Sequence, residues 1–211
     1  MDLSGVLSFM PENAGRIAIL GWGSLLWECR PDFDGLHGPW YFDGPTIKLE
    51  FSRVSSTRLG ALTLVIDESR DVEATQVAYT LSERSNPDSA RRDLREREGV
   101  PRDDMENSIG IISSQHSYKS INKNADRAIR DWSKRNRLAA VIWTDLPSNF
   151  EKKAGKKFSD DNAISYLQTL GPYARTKAAE YVWRAPSFVQ TPLREALDIW
   201  PCPQKTRGDT Q

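Results

Sequence analysis

The rhythm of apolar and polar positions changes about half-way along the chain. Arg16–Leu20 (RIAIL) is a short apolar run that stops at Gly21, the pattern of a buried strand feeding a tight loop. Cys29–Thr46, rich in Gly, Pro and Asp, reads as a long irregular connection. Ile47–Val54 and Ala61–Ile66 are β-rich runs on either side of the polar Ser55–Gly60, which predicts a hairpin, and Val72–Leu81 adds another strand-like run. Beyond it the period lengthens. Asn86-Pro87-Asp88 can cap a helix whose sparse apolar face is Ala90, Leu94 and Val100, with Gly99 as its natural stop. Ile109–Ser113 predicts a strand, Ala125–Arg135 an amphipathic helix and Ala139–Thr144 a buried strand. Glu151–Lys157 reads as a polar, Lys-rich loop. Ser159-Asp160-Asp161 then caps a helix through Leu170, and Tyr173–Arg184 and Pro192–Trp200 follow as helices.

Strands dominate the first half and helices the second, so the expected class is α+β. The expected architecture is a small mixed sheet or closed barrel of five to six strands, flanked by helices, with extra helices at the C-terminal end. With 211 residues the chain can bury one sizeable core. A single domain over residues 1–203 is expected, with 204–211 as a disordered polar tail.

Charge narrows the partners. Lys+Arg and Asp+Glu are balanced at 29 each, so the summed positive field of a dedicated nucleic-acid binder is missing. Arg91, Arg92, Arg95 and Arg97 form a basic run, but Asp93, Glu96 and Glu98 interleave with it. A small molecule is the expected partner; a protein partner is left open, with no motif for one. Cys29 and Cys202 are far apart and His37 and His116 isolated, which disfavours a zinc site and any metal role. Met1–Glu12 carries no basic or long apolar stretch, and no run approaches the ~20 apolar residues of a spanning helix, so no membrane role is expected and cytoplasm is the default location.

Two segments carry candidate chemistry. Gly21-Trp22-Gly23-Ser24-Leu25-Leu26-Trp27 directly follows the first strand. Two glycines around one residue let the backbone turn sharply and approach a ligand, and successive amides in such a turn can form an anion nest. A dinucleotide fingerprint would need glycine at position 26, which is leucine, and a P-loop would need a terminal Gly-Lys-Ser/Thr. The plain alternative is a strand-ending turn whose tryptophans plug the core. The second segment is Asp93-Leu94-Arg95-Glu96-Arg97-Glu98-Gly99, which without further context is a solvated helix end of alternating charges.

Together these segments resemble the γ-glutamylcyclotransferase-like superfamily. G-W-G-S-L-L-W is similar to the G-Y-G-S-L loop of that family, most of all to its glutathione-specific ChaC-type branch, with Trp22 where the family usually has Tyr. The resemblance implies that Gly21, Trp22, Gly23, Ser24 and Leu25 hold a γ-glutamyl group. Asp93-x-x-Glu96 resembles the segment carrying the family's catalytic glutamate, and Glu98-Gly99 resembles the Glu-Gly of another branch. Glu96 is therefore the expected catalytic residue and Glu98 the second choice; about 200° apart on a helix, only one can face the loop. Arg53 resembles an arginine after the second strand in the ChaC-type branch and is a further candidate substrate-binding residue. Ala140–Leu146 is a candidate pocket segment, although a strand-end Asp such as Asp145 is more often a turn or cap residue.

The reaction the resemblance implies needs no nucleophilic serine or cysteine, and the sequence displays no Ser/His/Asp constellation. The α-amine of a γ-glutamyl peptide or amine attacks its own side-chain carbonyl, closing 5-oxoproline and releasing the amine. One glutamate, raised in pKa by partial burial, can move the protons. No metal or organic cofactor is implied. The rival readings are an enzyme of the same fold acting on γ-glutamyl amines or γ-glutamyl-tagged intermediates rather than glutathione, and a non-catalytic binding or docking module.

Overall fold

The computed structural model describes residues 13–118 and 120–197. Among the described residues, seven strands form two sheets. β1 (Ile17–Gly21), β5 (Ala78–Leu81), β6 (Ile109–Ser113) and β7 (Ala140–Thr144) make a mixed sheet in the order β5-β1-β7-β6, in which only β1 and β7 run parallel. β2 (Thr46–Val54), β3 (Leu62–Ile66) and β4 (Ala74–Gln76) make an antiparallel sheet in the order β3-β2-β4. The α+β class holds, but the described residues form no closed barrel and have seven strands rather than five or six. The single apolar run ending at Leu81 accounts for part of the difference. It divides at Val77 between β4 in one sheet and β5 in the other, because the Val77 amide and carbonyl are taken by Pro45 and Gly44 of the preceding loop.

Side-chain alternation along the mixed sheet fixes the layers. Ile17 and Ile19 of β1, Ala140 and Ile142 of β7, and Ile109 and Ile111 of β6 pack with Ala90 and Leu94 of helix α2 (Pro87–Glu98), short helix α1 (Pro31–Asp34) contributing Phe33. Ala18, Leu20, Val141 and Trp143 point the other way, into a core shared with β2, β3 and the remaining helices. Covered on both faces, β1 is apolar throughout, as its sequence suggested.

The helices begin and end where their caps dictate. Asn86 Oδ1 accepts from the Ser89 amide at 3.0 Å and Pro87 opens α2. Gly99, at φ 64°, ends it: the Gly99 amide reaches Glu96 O and the Val100 amide reaches Arg95 O, a Schellman pattern. After the short α3 (Met105–Ser108) come α4 (Lys123–Arg135) and α5 (Phe150–Ala154). α5 replaces the expected Lys-rich loop. Phe150, fully buried edge-on to Phe158 and Tyr166, anchors a helical turn that its polar neighbours conceal in the sequence. α6 (Asp160–Thr169) starts at the Ser159 cap, α7 (Pro172–Arg184) follows, and α8 (Pro192–Leu197) covers the first part of the predicted Pro192–Trp200 helix. The rest of that helix, Cys202 and the 204–211 tail lie outside the described residues. Among the described residues no helix is long and apolar enough to cross a membrane.

Candidate functional site

The β1 loop and the end of α2 meet at a cavity of about 780 Å3. Trp22 leaves β1 in extended conformation; Gly23, at φ 59°, then turns the chain into a 3-10 turn over Gly23–Leu26. Trp22, Ser24 and Leu25 line the cavity. The two glycines face elsewhere: a Cβ on Gly21 would collide with the Trp40 ring, and one on Gly23 would lie 2.6 Å from the Tyr181 hydroxyl. Close packing of aromatic side chains thus requires glycine at both positions.

Glu96 and Glu98 separate as helix geometry demands. Glu96 is 67% exposed, bonded at 2.6 Å to Arg95 Nη2, and is not part of the cavity lining. Glu98 lies on the cavity wall and is 21% exposed. Burial raises its pKa above the ordinary carboxylate value, against the opposing pull of Arg97, Arg58 and Arg30. The negative end of the α2 dipole acts in the same direction as burial.

Arg97, beside Glu98, ties helix to loop. Its Nη2 donates to Ser24 O at 3.0 Å and to Glu28 O at 3.2 Å, while Nη1 lies 3.8 Å from Glu98 Oε1. Arg58 strengthens the same corner, donating to Ser24 Oγ at 3.0 Å and to the Glu28 carboxylate, and lying over the rings of Trp27 and Tyr181. Burial alone would raise the Glu28 pKa, but the bonds from Arg58 and Arg30 prevail and hold it low. Tyr181, from α7, closes the corner from behind. Burial pushes its phenol up to about 12, so it stays a neutral hydroxyl beside Gly23. Arg53 also lines the cavity, with Nη1 donating to Pro147 O at 2.7 Å. Of the Ala140–Leu146 segment, Thr144 and Leu146 reach the cavity. Asp145 is buried outside the lining, with Oδ1 accepting from Asn122 Nδ2 at 3.2 Å.

Arg58, Arg97 and Tyr181 carry no motif, and sequence reasoning missed them. For Arg97 a signal existed: it continues the Ala90–Leu94 stripe at i+7, and an arginine on an apolar face must find buried acceptors. A carboxylate that sequence reasoning also missed is Glu50, fully buried on β2 but not part of the cavity lining. Oε1 accepts from the Phe51 amide at 2.7 Å, whereas Oε2 has no hydrogen-bond partner and lies 3.9 Å from Arg70 Nε. Burial, opposed by the weaker effects of the Phe51 amide, Thr191 and Arg70, raises its pKa to about 7.

The structure also assembles the Ser/His/Asp trio that the sequence did not display. Ser113 Oγ lies 2.9 Å from His116 Nδ1, and His116 Nε2 lies 3.0 Å from Asp88 Oδ1. The Ser113 hydroxyl already accepts from the Gln115 and His116 amides at 3.1 Å each, so it is locked as a turn acceptor.

Comparison with protein-family models, curated proteins and solved structures finds no match in any of the three. The site stands on its own geometry.

Proposed function

We propose that this protein is a γ-glutamylcyclotransferase-type enzyme, releasing 5-oxoproline from a γ-glutamyl peptide or amine with Glu98 as general acid and base. The observation that carries the reading is that Glu98, with its raised pKa, lines the same cavity as Trp22, Ser24 and Leu25. It favours Glu98 over Glu96, which is exposed and paired with Arg95.

Glu98 takes a proton from the substrate's α-ammonium. The freed amine adds to the side-chain carbonyl, forming the C–N bond of the lactam. As the original amide bond breaks, Glu98 passes its proton to the departing nitrogen and relays a second one from the attacking nitrogen, so that the products are the neutral lactam and an ammonium. Glu98 ends as it began. Arg97 supports this role by holding the helix end against the loop and by keeping a positive charge near the carboxylate. A carboxyl of raised pKa suits both directions of transfer better than an ordinary surface glutamate.

The test is 5-oxoproline release from γ-glutamyl peptides and amines. Glu98→Gln keeps shape and removes the proton acceptor, so kcat should fall about 10²-fold or more with KM little changed. Glu96→Gln should stay within a few-fold of wild type. Because the base must be ionised, kcat/KM should fall as pH drops through a pKa above the ordinary carboxylate range. Loss of activity with Glu96→Gln but not Glu98→Gln would overturn the assignment. Binding of γ-glutamyl compounds without turnover would instead identify a binding module.

A further inference from the structure

The cavity is far larger than the γ-glutamyl group. That group has about nine non-hydrogen atoms, whereas cavities of about 300–1,000 Å3 hold whole drug-sized ligands. Most of the 780 Å3 therefore remains for the other part of the ligand.

The lining indicates the charge of that part. Arg30, Arg53, Arg58, Arg97 and Lys153 line the cavity against two carboxylates, Glu98 and Asp104. Three of these cations are committed. Arg30 and Arg58 converge on the Glu28 carboxylate, and Arg97 is spent on Ser24 O and Glu28 O. Arg53 and Lys153 are different. Among the described residues neither has a carboxylate within ion-pair distance; the one side-chain partner of Arg53 is the carbonyl of Pro147. They also share one wall. Asn149 bonds both the amide and the carbonyl of Val54, next to Arg53, and its own carbonyl accepts from the Lys153 amide in α5. Burial already lowers the Arg53 pKa, the mark of a cation short of compensating charge.

We infer that Arg53 and Lys153 form an anion subsite that receives a carboxylate or phosphate on the amine portion of the substrate. This rests on the reading of the cavity as a γ-glutamyl site and adds its specificity. Arg53 offers a planar fork suited to paired oxygens, and Lys153 a compact point charge on a flexible stem. Neither touches the reacting atoms, so their contribution is to binding and selection.

The experiment compares γ-glutamylglycine, γ-glutamyl-O-phosphoethanolamine and the neutral γ-glutamylglycinamide. Wild type should favour one or both anionic substrates over the neutral one by about tenfold or more in kcat/KM, and the better of the two identifies the anion. Lys153→Glu and Arg53→Ala should each raise KM for that substrate about tenfold, leave its kcat within a few-fold, and barely alter the neutral substrate. Lys153 is exposed on α5, so its variant tests the subsite even if Arg53→Ala folds poorly. Equal effects on charged and neutral substrates, or no preference in wild type, would overturn the inference. If wild type makes no 5-oxoproline at all, the cyclotransferase reading fails separately. Calorimetric binding of γ-glutamylglycine and of inorganic phosphate then decides the subsite: weakening of either by Lys153→Glu supports it, and failure of both to bind, or binding indifferent to the substitution, removes it.

Discussion

Replacing Glu50 with glutamine should make the protein more stable at pH 8 than wild type, and should do so because of pH. Glu50 is fully buried, with one oxygen bonded to the Phe51 amide and the other without a hydrogen bond, so its charge is disfavoured in the fold. Its pKa is raised from 4.5 to about 7. For a group raised on folding, the stabilising contribution is complete below the unfolded value and is lost as pH rises through the folded one. At about 1.36 kcal/mol per pH unit, stability falls by roughly 3 kcal/mol between about pH 4.5 and pH 7, then levels. The Glu50→Gln variant is neutral throughout and lacks this fall. Urea unfolding followed by tryptophan fluorescence at pH 5, 6, 7 and 8 reads the difference. The variant-minus-wild-type midpoint should grow by about 1 M urea across the series if the slope is near 3 kcal/mol/M. Taking the difference cancels the other titrating groups. A midpoint difference independent of pH would refute the argument; it would mean Glu50 ionises normally, compensated by Arg70 across their 3.9 Å separation.

Two smaller predictions follow from local geometry. Gly23→Ala must place a Cβ at φ 59° and 2.6 Å from the Tyr181 hydroxyl, so it should cost about 1–3 kcal/mol in urea unfolding, with part recovered in a Tyr181→Phe background. Asn86→Ala removes the side-chain acceptor for the Ser89 amide and should destabilise by about 1 kcal/mol, read in the same assay.

The elements were legible wherever local chemistry decided them. The apolar run before Gly21, the Asn86 cap and Gly99 stop, and the Ser159 cap all mark boundaries within a few residues, and each boundary stands near where those residues put it. The misreadings share a cause in distant contacts. Phe150 turns a Lys-rich stretch into α5 because Phe158 and Tyr166 wait for its ring. Val77 divides one strand between two sheets because the 44–45 loop takes its backbone bonds. Neither partner set can be read from the segment itself.

The site shows the same division within a single helix. Motif spacing favoured Glu96, but the helix's own periodicity favours Glu98: it follows Leu94 by four and Ala90 by eight, on the stripe that packs against the sheet, while Glu96 lies across the axis from it. Arg97 joins the same buried side at i+7 from Ala90. Two adjacent charged residues at the end of an apolar stripe have few ways to be buried. One must find backbone acceptors, as Arg97 does in Ser24 and Glu28, and the other must face a cavity with its charge weakened, as Glu98 does. Helix periodicity alone therefore distinguishes the cavity-facing carboxylate from the exposed one. What it could not supply is the opposing surface, because Ser24, Arg58 and Tyr181 arrive from three separate elements, brought together only by the packing of α7 behind the β1 loop.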